Sequence, residues 1–252
     1  MGIIGRTAVG LIAALLLASP ALAGPPYLSD DPQPTDLGHW EIYNYALGQG
    51  GPDGLAGEAG FDLNYGAAKD IQLTAVLPLA YESDRGFTTK DLRAGPGDVE
   101  LAVKWKFLHQ DDKSWLPDVA VFPRVFVPTS AADLGGTGRA SLFLPVWAER
   151  DYGPWSVFGG GGYQFNPGPD QRDFWQGGVA LSRSFGDRLS LGGEVYGQTR
   201  DSVDGGAYWA LDGDVTYKLV EHWSAIASLG PVWSGSSSPN GYVFYVALKA
   251  DY

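Results

Sequence analysis

The chain has 252 residues, 44% hydrophobic and 18% charged, with no Cys, 36 Gly, nine Trp, thirteen Tyr and eleven Phe. That is enough for one domain of about 200 to 250 residues and too rich in aromatics for a disordered chain. Lack of Cys excludes disulfides, thiolate-ligated metals and thiol nucleophiles, and a net charge of −12 argues against a nucleic-acid partner.

Residues 1–23 carry one charge, Arg6, then an apolar run ending in Ala21-Leu22-Ala23, the small-x-small form of a signal-peptidase site. The run is too short to span a bilayer as a helix, so a cleaved signal peptide and an exported mature chain from Gly24 are expected. Residues 24–38 then form a periplasmic arm or plug ahead of the first strand.

From residue 39 onward, segments with alternating apolar and polar residues recur between turn residues, the pattern of β-strands. Twelve are predicted, near 39–48, 59–66, 70–83, 98–109, 116–129, 139–149, 154–165, 174–184, 188–198, 207–219, 222–233 and 241–252. The connections alternate between tight ones, such as Ala67-Ala68-Lys69 and Phe185-Gly186-Asp187, and longer Gly-, Pro-, Asp- and Ser-rich ones, such as 50–57 and 84–97. Short turns on one rim and long loops on the other are the anatomy of a transmembrane antiparallel β-barrel of the Gram-negative outer-membrane type, which is the expected all-β fold. Pro78, Pro123, Pro145 and Pro231 fall inside predicted strands, where each lacks a ladder donor.

Alternation alone does not distinguish a soluble sandwich from a barrel in lipid. The placing of the aromatics does. All nine Trp fall at strand ends: Trp40, Trp105, Trp115, Trp147, Trp155 and Trp223 toward the short-turn rim, and Trp175, Trp209 and Trp233 toward the long-loop rim. With the terminal Tyr252 they suit the two interfacial girdles of a membrane barrel. The expected partners are outer-membrane lipid, the barrel-assembly machinery through the last strand, and a small solute.

Eleven charged residues share the inward phase of their strands: Asp62, Glu82, Glu100, Lys104, Lys106, Arg124, Glu194, Asp212, Asp214, Lys218 and Lys249. They are the candidate pore lining, accompanied by the inward aromatics Phe122, Phe126, Phe143 and Tyr196. A lumen holding water tolerates such charges, whereas a filled one must pair them. Twelve strands lie between the filled eight-stranded barrel and the open sixteen-stranded porin, so strand number leaves both open.

No catalytic site, cofactor or metal site is read from the sequence. The three His, at 39, 109 and 222, all sit at the short-turn rim and read as interfacial polar residues. Asp30, Asp31 and Asp36 lack the spacing of a Ca²⁺ loop and read as part of a solvated arm. The run Gly159 to Gly162 lacks the following Lys-Ser/Thr of a phosphate loop and reads as close packing within a strand.

Several segments also resemble a known family. The opening GPPYLSDDPQPTDLGHWEIYNY (24–45), GPGDVELAVKWKF (95–107), LPDVAVFPRVFVPTS (116–130), GPWSVFGGGGYQFNPG (153–168) and EVYGQTRDSVDG (194–205) resemble the exported outer-membrane proteins of the MetA-pathway of phenol degradation, or "transporter", family. The resemblance implies a barrel of the channel type passing small solutes, including aromatic or weakly hydrophobic compounds, and no defined site. A closed structural or adhesion barrel acting through its long loops, and an outer-membrane lipid-acting enzyme, are the alternatives. The enzyme would need a nucleophile and base near the lipid or the lumen mouth, and the sequence offers no His near the long-loop rim.

Overall fold

The computed structural model describes residues 27–252 except 53, 85–90, 112, 132–133, 135 and 236–238. The expected signal peptide and the tip of the 84–97 loop lie outside the described residues.

Fourteen strand segments follow one another: β1 (Trp40–Gly51), β2 (Gly54–Ala68), β3 (Ile71–Ser83), β4 (Arg93–Pro96), β5 (Val99–Leu108), β6 (Asp118–Val121) and β7 (Arg124–Val127). They continue with β8 (Ser141–Tyr152), β9 (Trp155–Phe165), β10 (Phe174–Phe185), β11 (Leu189–Gln198), β12 (Tyr208–Val220), β13 (Trp223–Ser234) and β14 (Gly241–Asp251). Every ladder is antiparallel, and β14 returns to β1 with Glu41 opposite Asp251, so the sheet closes and has no free edge. β4 and β5 are two pieces of one stave, as are β6 and β7, which makes a closed barrel of twelve staves.

Among the strand prolines, only Pro123 interrupts its stave. It separates β6 from β7, and its carbonyl still accepts the Val103 N–H at 3.2 Å. Pro78, Pro145 and Pro231 stay inside continuous strands, opposite Gly60, Gly162 and Tyr242.

The two faces divide as a membrane barrel requires. In β5, Leu101, Val103, Trp105 and Phe107 are exposed while Glu100, Ala102 and Lys104 are buried. In β12, Trp209 and Leu211 are exposed while Ala210, Asp212 and Asp214 are buried. Charges inside and Leu, Val and aromatics outside invert the pattern of a water-soluble core; the exterior is built for hydrocarbon, where only a closed ladder satisfies the backbone.

Three expectations are corrected. Trp147 belongs to no girdle: it is 2% exposed and packs inside the barrel with Ala102, Phe122 and Phe143. The phase of β8 explains this, because Leu144 and Val146 face out and Trp147 and Glu149 therefore face in. Gly160 stands opposite, where a Cβ would come within 3.1 Å of the indole. Trp147→Ala is expected to cost about 3–5 kcal/mol of barrel stability, read as a drop in the urea midpoint of the refolded protein.

The Gly-rich stretch 50–57 is not a long loop. β1 and β2 run into it and stay paired, with Gly50 opposite Leu55 and Gly51 opposite Gly54. Its glycines clear room for Tyr81, whose hydroxyl donates to the Leu47 carbonyl at 2.8 Å and would sit 2.7 Å from a Cβ at Gly48. The arm, finally, is solvated at Asp36, which is exposed, but not over its whole length. Ser29, Asp31 and Thr35 are all 5% exposed or less.

Candidate functional site

The arm enters from the short-turn end. Leu37 bridges to Gly66, and the Gly38 N–H donates to the Gly66 carbonyl at 2.7 Å. From there the chain runs across the lumen and meets one wall after another. The Thr35 N–H donates to Gln72 Oε1 at 2.8 Å on β3. Gln33 Nε2 donates to Asp118 and Glu149, both at 2.7 Å, and its Oε1 accepts Lys106 Nζ at 2.7 Å, so one amide joins β5, β6 and β8.

Asp30 is the ionic centre. Its carboxylate meets Lys104 Nζ at 2.8 Å through Oδ1 and the Arg124 guanidinium at 2.5 Å through Oδ2. Arg124 also lies 3.7 Å from Glu100, and both cations stand over the Phe122 ring, at 4.3 Å for Arg124 and 4.8 Å for Lys104. Burial pushes the Asp30 carboxyl up, but Lys104 and Arg124 outweigh it and hold the group below the usual carboxylate range. Its neighbour Asp31 is pushed up to about 6, by burial first and then by the charge of Asp30, against the pull of Lys104.

Beyond Asp30 the arm reaches the far wall. Glu194 accepts the N–H groups of Leu28 at 2.7 Å and Ser29 at 2.6 Å, and Asp214 accepts the Tyr27 hydroxyl at 2.7 Å. The Tyr27 ring packs edge-on against Phe158, 4.7 Å between centroids. This wall has room for a second chain because two of its inward positions are glycine. A Cβ at Gly178 would lie 2.6 Å from Ser29 Oγ, and one at Gly192 would collide with the Tyr27 hydroxyl. Gly192→Leu is expected to displace Tyr27 and, because its Cβ would also lie 2.7 Å from the Leu181 carbonyl, to shift the β10–β11 ladder locally, read as accelerated proteolysis of the N-terminal segment in the folded barrel.

Above the arm lies a cavity of about 860 Å³, within the range of small-ligand sites. Of the predicted lumen residues, Asp62, Glu100, Lys104, Arg124, Asp212 and Lys249 line it. Lys106, Glu194 and Asp214 touch the arm instead. Glu82 and Lys218 join neither group. Glu82 pairs with Arg93 at 3.2 Å near the long-loop end, and Lys218 is exposed at a bulge near the short-turn end of β12. Phe122, Phe143 and Tyr196 are buried and Phe126 packs on the cluster around Trp147.

Trp40, Trp105, Trp115, Trp155, Trp175, Trp209, Trp223 and Tyr252 are exposed, and Trp233 stacks on Trp209 at 3.9 Å. The His residues do not converge: His109 meets Asp70 at 2.8 Å and holds that carboxyl below its usual range, while His222 stacks on Tyr252.

Sequence reasoning missed Tyr27, Gln33, Asp118 and Glu149 as lumen residues. Glu149 had a signal, since it shares the inward phase of Phe143 in β8. The arm residues had none, because a segment without secondary structure has no period to read.

The family described as "Putative MetA-pathway of phenol degradation" matches residues 56–240. The chain belongs to this family. A search of the curated proteins by sequence gives no match. Among solved structures, the barrel is similar to the COG4313 outer membrane channel from Pseudomonas putida F1, with a TM-score of 0.70 and 13% identity over 88% of this chain and 98% of that one. It is also similar to the translocator domain of autotransporter NalP from Neisseria meningitidis, with a TM-score of 0.52 and 10% identity over 84% of this chain and 88% of that one. At these identities the likeness is one of fold: an outer-membrane β-barrel.

Proposed function

We propose that this family member is an outer-membrane channel that passes small solutes, including aromatic or weakly hydrophobic ones, through a lumen narrowed by its own N-terminal arm. The observation that carries this reading is the cavity of about 860 Å³ inside a closed barrel, bordered by the arm and lined by charged residues and tyrosines. A barrel meant only as a scaffold gains nothing from such a space, since filling it with apolar side chains stabilises more. The exposed Trp residues and Tyr252 form the interfacial girdles, and the arm is the plug. The COG4313 outer membrane channel, which shares the fold, supports the same reading.

The test is single-channel recording of refolded Gly24–Tyr252 in a planar bilayer, with Arg124→Ala alongside. Steady openings whose cation preference rises when Arg124 is removed are the expected result. A correctly folded protein that stays electrically silent, both whole and without residues 24–36, overturns the channel and favours a closed barrel acting through its loops.

A further inference from the structure

The cavity is lined by ten carboxylate side chains and three cationic ones. All three cations are already engaged: Lys104 and Arg124 hold Asp30, and Lys249 lies between Glu41 at 3.1 Å and Asp251 at 3.0 Å. Three carboxylates deeper in the barrel are left over. Glu58, Asp62 and Asp212 have no basic group within ion-pair distance among the described residues. Glu58 accepts the Tyr45 hydroxyl at 2.7 Å and Asp62 accepts Asn64 Nδ2 at 2.8 Å.

Asp212 stands out further. It is 5% exposed, it lines the cavity from β12, four staves round from Asp62 on β2, and its Oδ1 has no hydrogen-bond partner among the described residues. A carboxylate withdrawn from water to this degree requires a cation or a donor.

The surfaces between these acids are aromatic. Tyr43 is paired with Asp62 across the β1–β2 ladder, and Tyr45 stacks on Tyr245 with 6.2 Å between centroids and 4° between planes. Carboxylates set among tyrosine faces suit a positive nitrogen bearing carbon groups, which gains from the charge and from the ring quadrupole together. A small metal ion suits them less well, because no three carboxylate or imidazole groups converge on one point among the described residues.

We propose that the cavity binds an organic ammonium ion, its nitrogen held by Asp62 or Asp212 and its apolar body against Tyr43, Tyr45 and Tyr245. This deepens the channel reading, on which it rests, by giving the solute a chemical class: an amine or quaternary ammonium with an aromatic or short alkyl group.

The experiment is isothermal titration of refolded Gly24–Tyr252 in a non-ionic maltoside at low salt. The probes are benzyltrimethylammonium chloride, neutral benzyl alcohol, sodium benzenesulfonate and potassium chloride. Saturable binding of the cation at least tenfold tighter than the alcohol is expected, with no binding of the sulfonate. Asp62→Asn or Asp212→Asn, whichever carboxylate holds the nitrogen, should weaken it tenfold or more, and Tyr245→Leu should weaken the cation while leaving the net charge unchanged; no loss in either aspartate variant overturns the proposal. Heat-modifiable migration on gels confirms that each variant is folded.

Equal affinity for cation and alcohol, binding by neither, or full competition by millimolar potassium overturns the proposal. The bilayer recordings stand apart. A barrel that conducts but does not take up benzyltrimethylammonium refutes the ligand class alone, whereas one that binds it yet stays silent refutes the channel.

Discussion

Removing residues 24–36 is expected to raise the single-channel conductance several-fold and to flatten the discrimination between small ions. The arm supplies part of the border of the cavity and crosses to the far wall, where Tyr27 meets Asp214 and Phe158. Without it, the inward carboxylates would face a wider aqueous bore. Selectivity in a pore of this kind follows from how closely fixed charges approach the solute. The barrel itself should survive, because its staves close through β1 and β14 without help from the arm. Unchanged conductance after the deletion, in a folded protein, would mean that the arm does not lie in the conducting path.

The second large effect is expected at Asp30. Asp30→Ala leaves Lys104 and Arg124 without their shared carboxylate, and Lys104 is only 4% exposed. Breaking a buried ion pair from one side costs about 3–5 kcal/mol; since Asp31 and Glu100 remain within 3.7 Å of the two cations, about 3 kcal/mol is expected. That is enough to shift a docked arm toward its released state, seen as more frequent or larger openings.

Acid should do the same, and the sign follows from the two aspartates. Asp30 has its carboxyl lowered on docking, so its contribution is present above the ordinary carboxylate value and fades as pH falls through the lowered one. Asp31 has its carboxyl raised to about 6, so docking binds a proton there and is weakened as pH rises through that value. The arm should therefore be held most firmly near the ordinary carboxylate value of about 4, with openings increasing below it as Asp30 is protonated and above it, up to about 6, as the Asp31 contribution is lost. Recording the open fraction from pH 3 to 8 tests this. A monotonic profile would show that these two groups do not control the arm.

Much of the barrel was legible because a strand in lipid must alternate. In β5 the sequence Glu-Leu-Ala-Val-Lys-Trp-Lys assigns each side chain to a face by its parity, and Leu101 and Lys104 lie where that parity puts them. Parity fails only where the side chain suits both environments. Trp147 fits an interface or a packed interior, and its position at a strand end suggested the wrong one. Glycine was the other ambiguity: residues 50–57 have the composition of a loop, yet in a barrel wall glycine is a gap for a neighbour such as Tyr81.

The inward charges were found as a set, but their grouping was not. What divides Lys104 and Arg124 from Lys218 is the arm, and its partners are far away in the chain. Tyr27 and Asp214 are 187 positions apart. No local pattern encodes such a pairing.

The order of the arm's attachments gives it a mechanical character. Counted from Tyr27, that residue is fixed to Asp214, Leu28 and Ser29 to Glu194, Asp30 to Lys104 and Arg124, Gln33 to three strands, and Thr35 to Gln72. A pull at Tyr27 therefore loads these fastenings in series, one at a time, and the arm comes away as tape does from a surface. A push from the opposite rim loads them in parallel and meets their combined resistance. The same contacts thus yield one by one to a pull at Tyr27 and resist together a push from the side of the long loops.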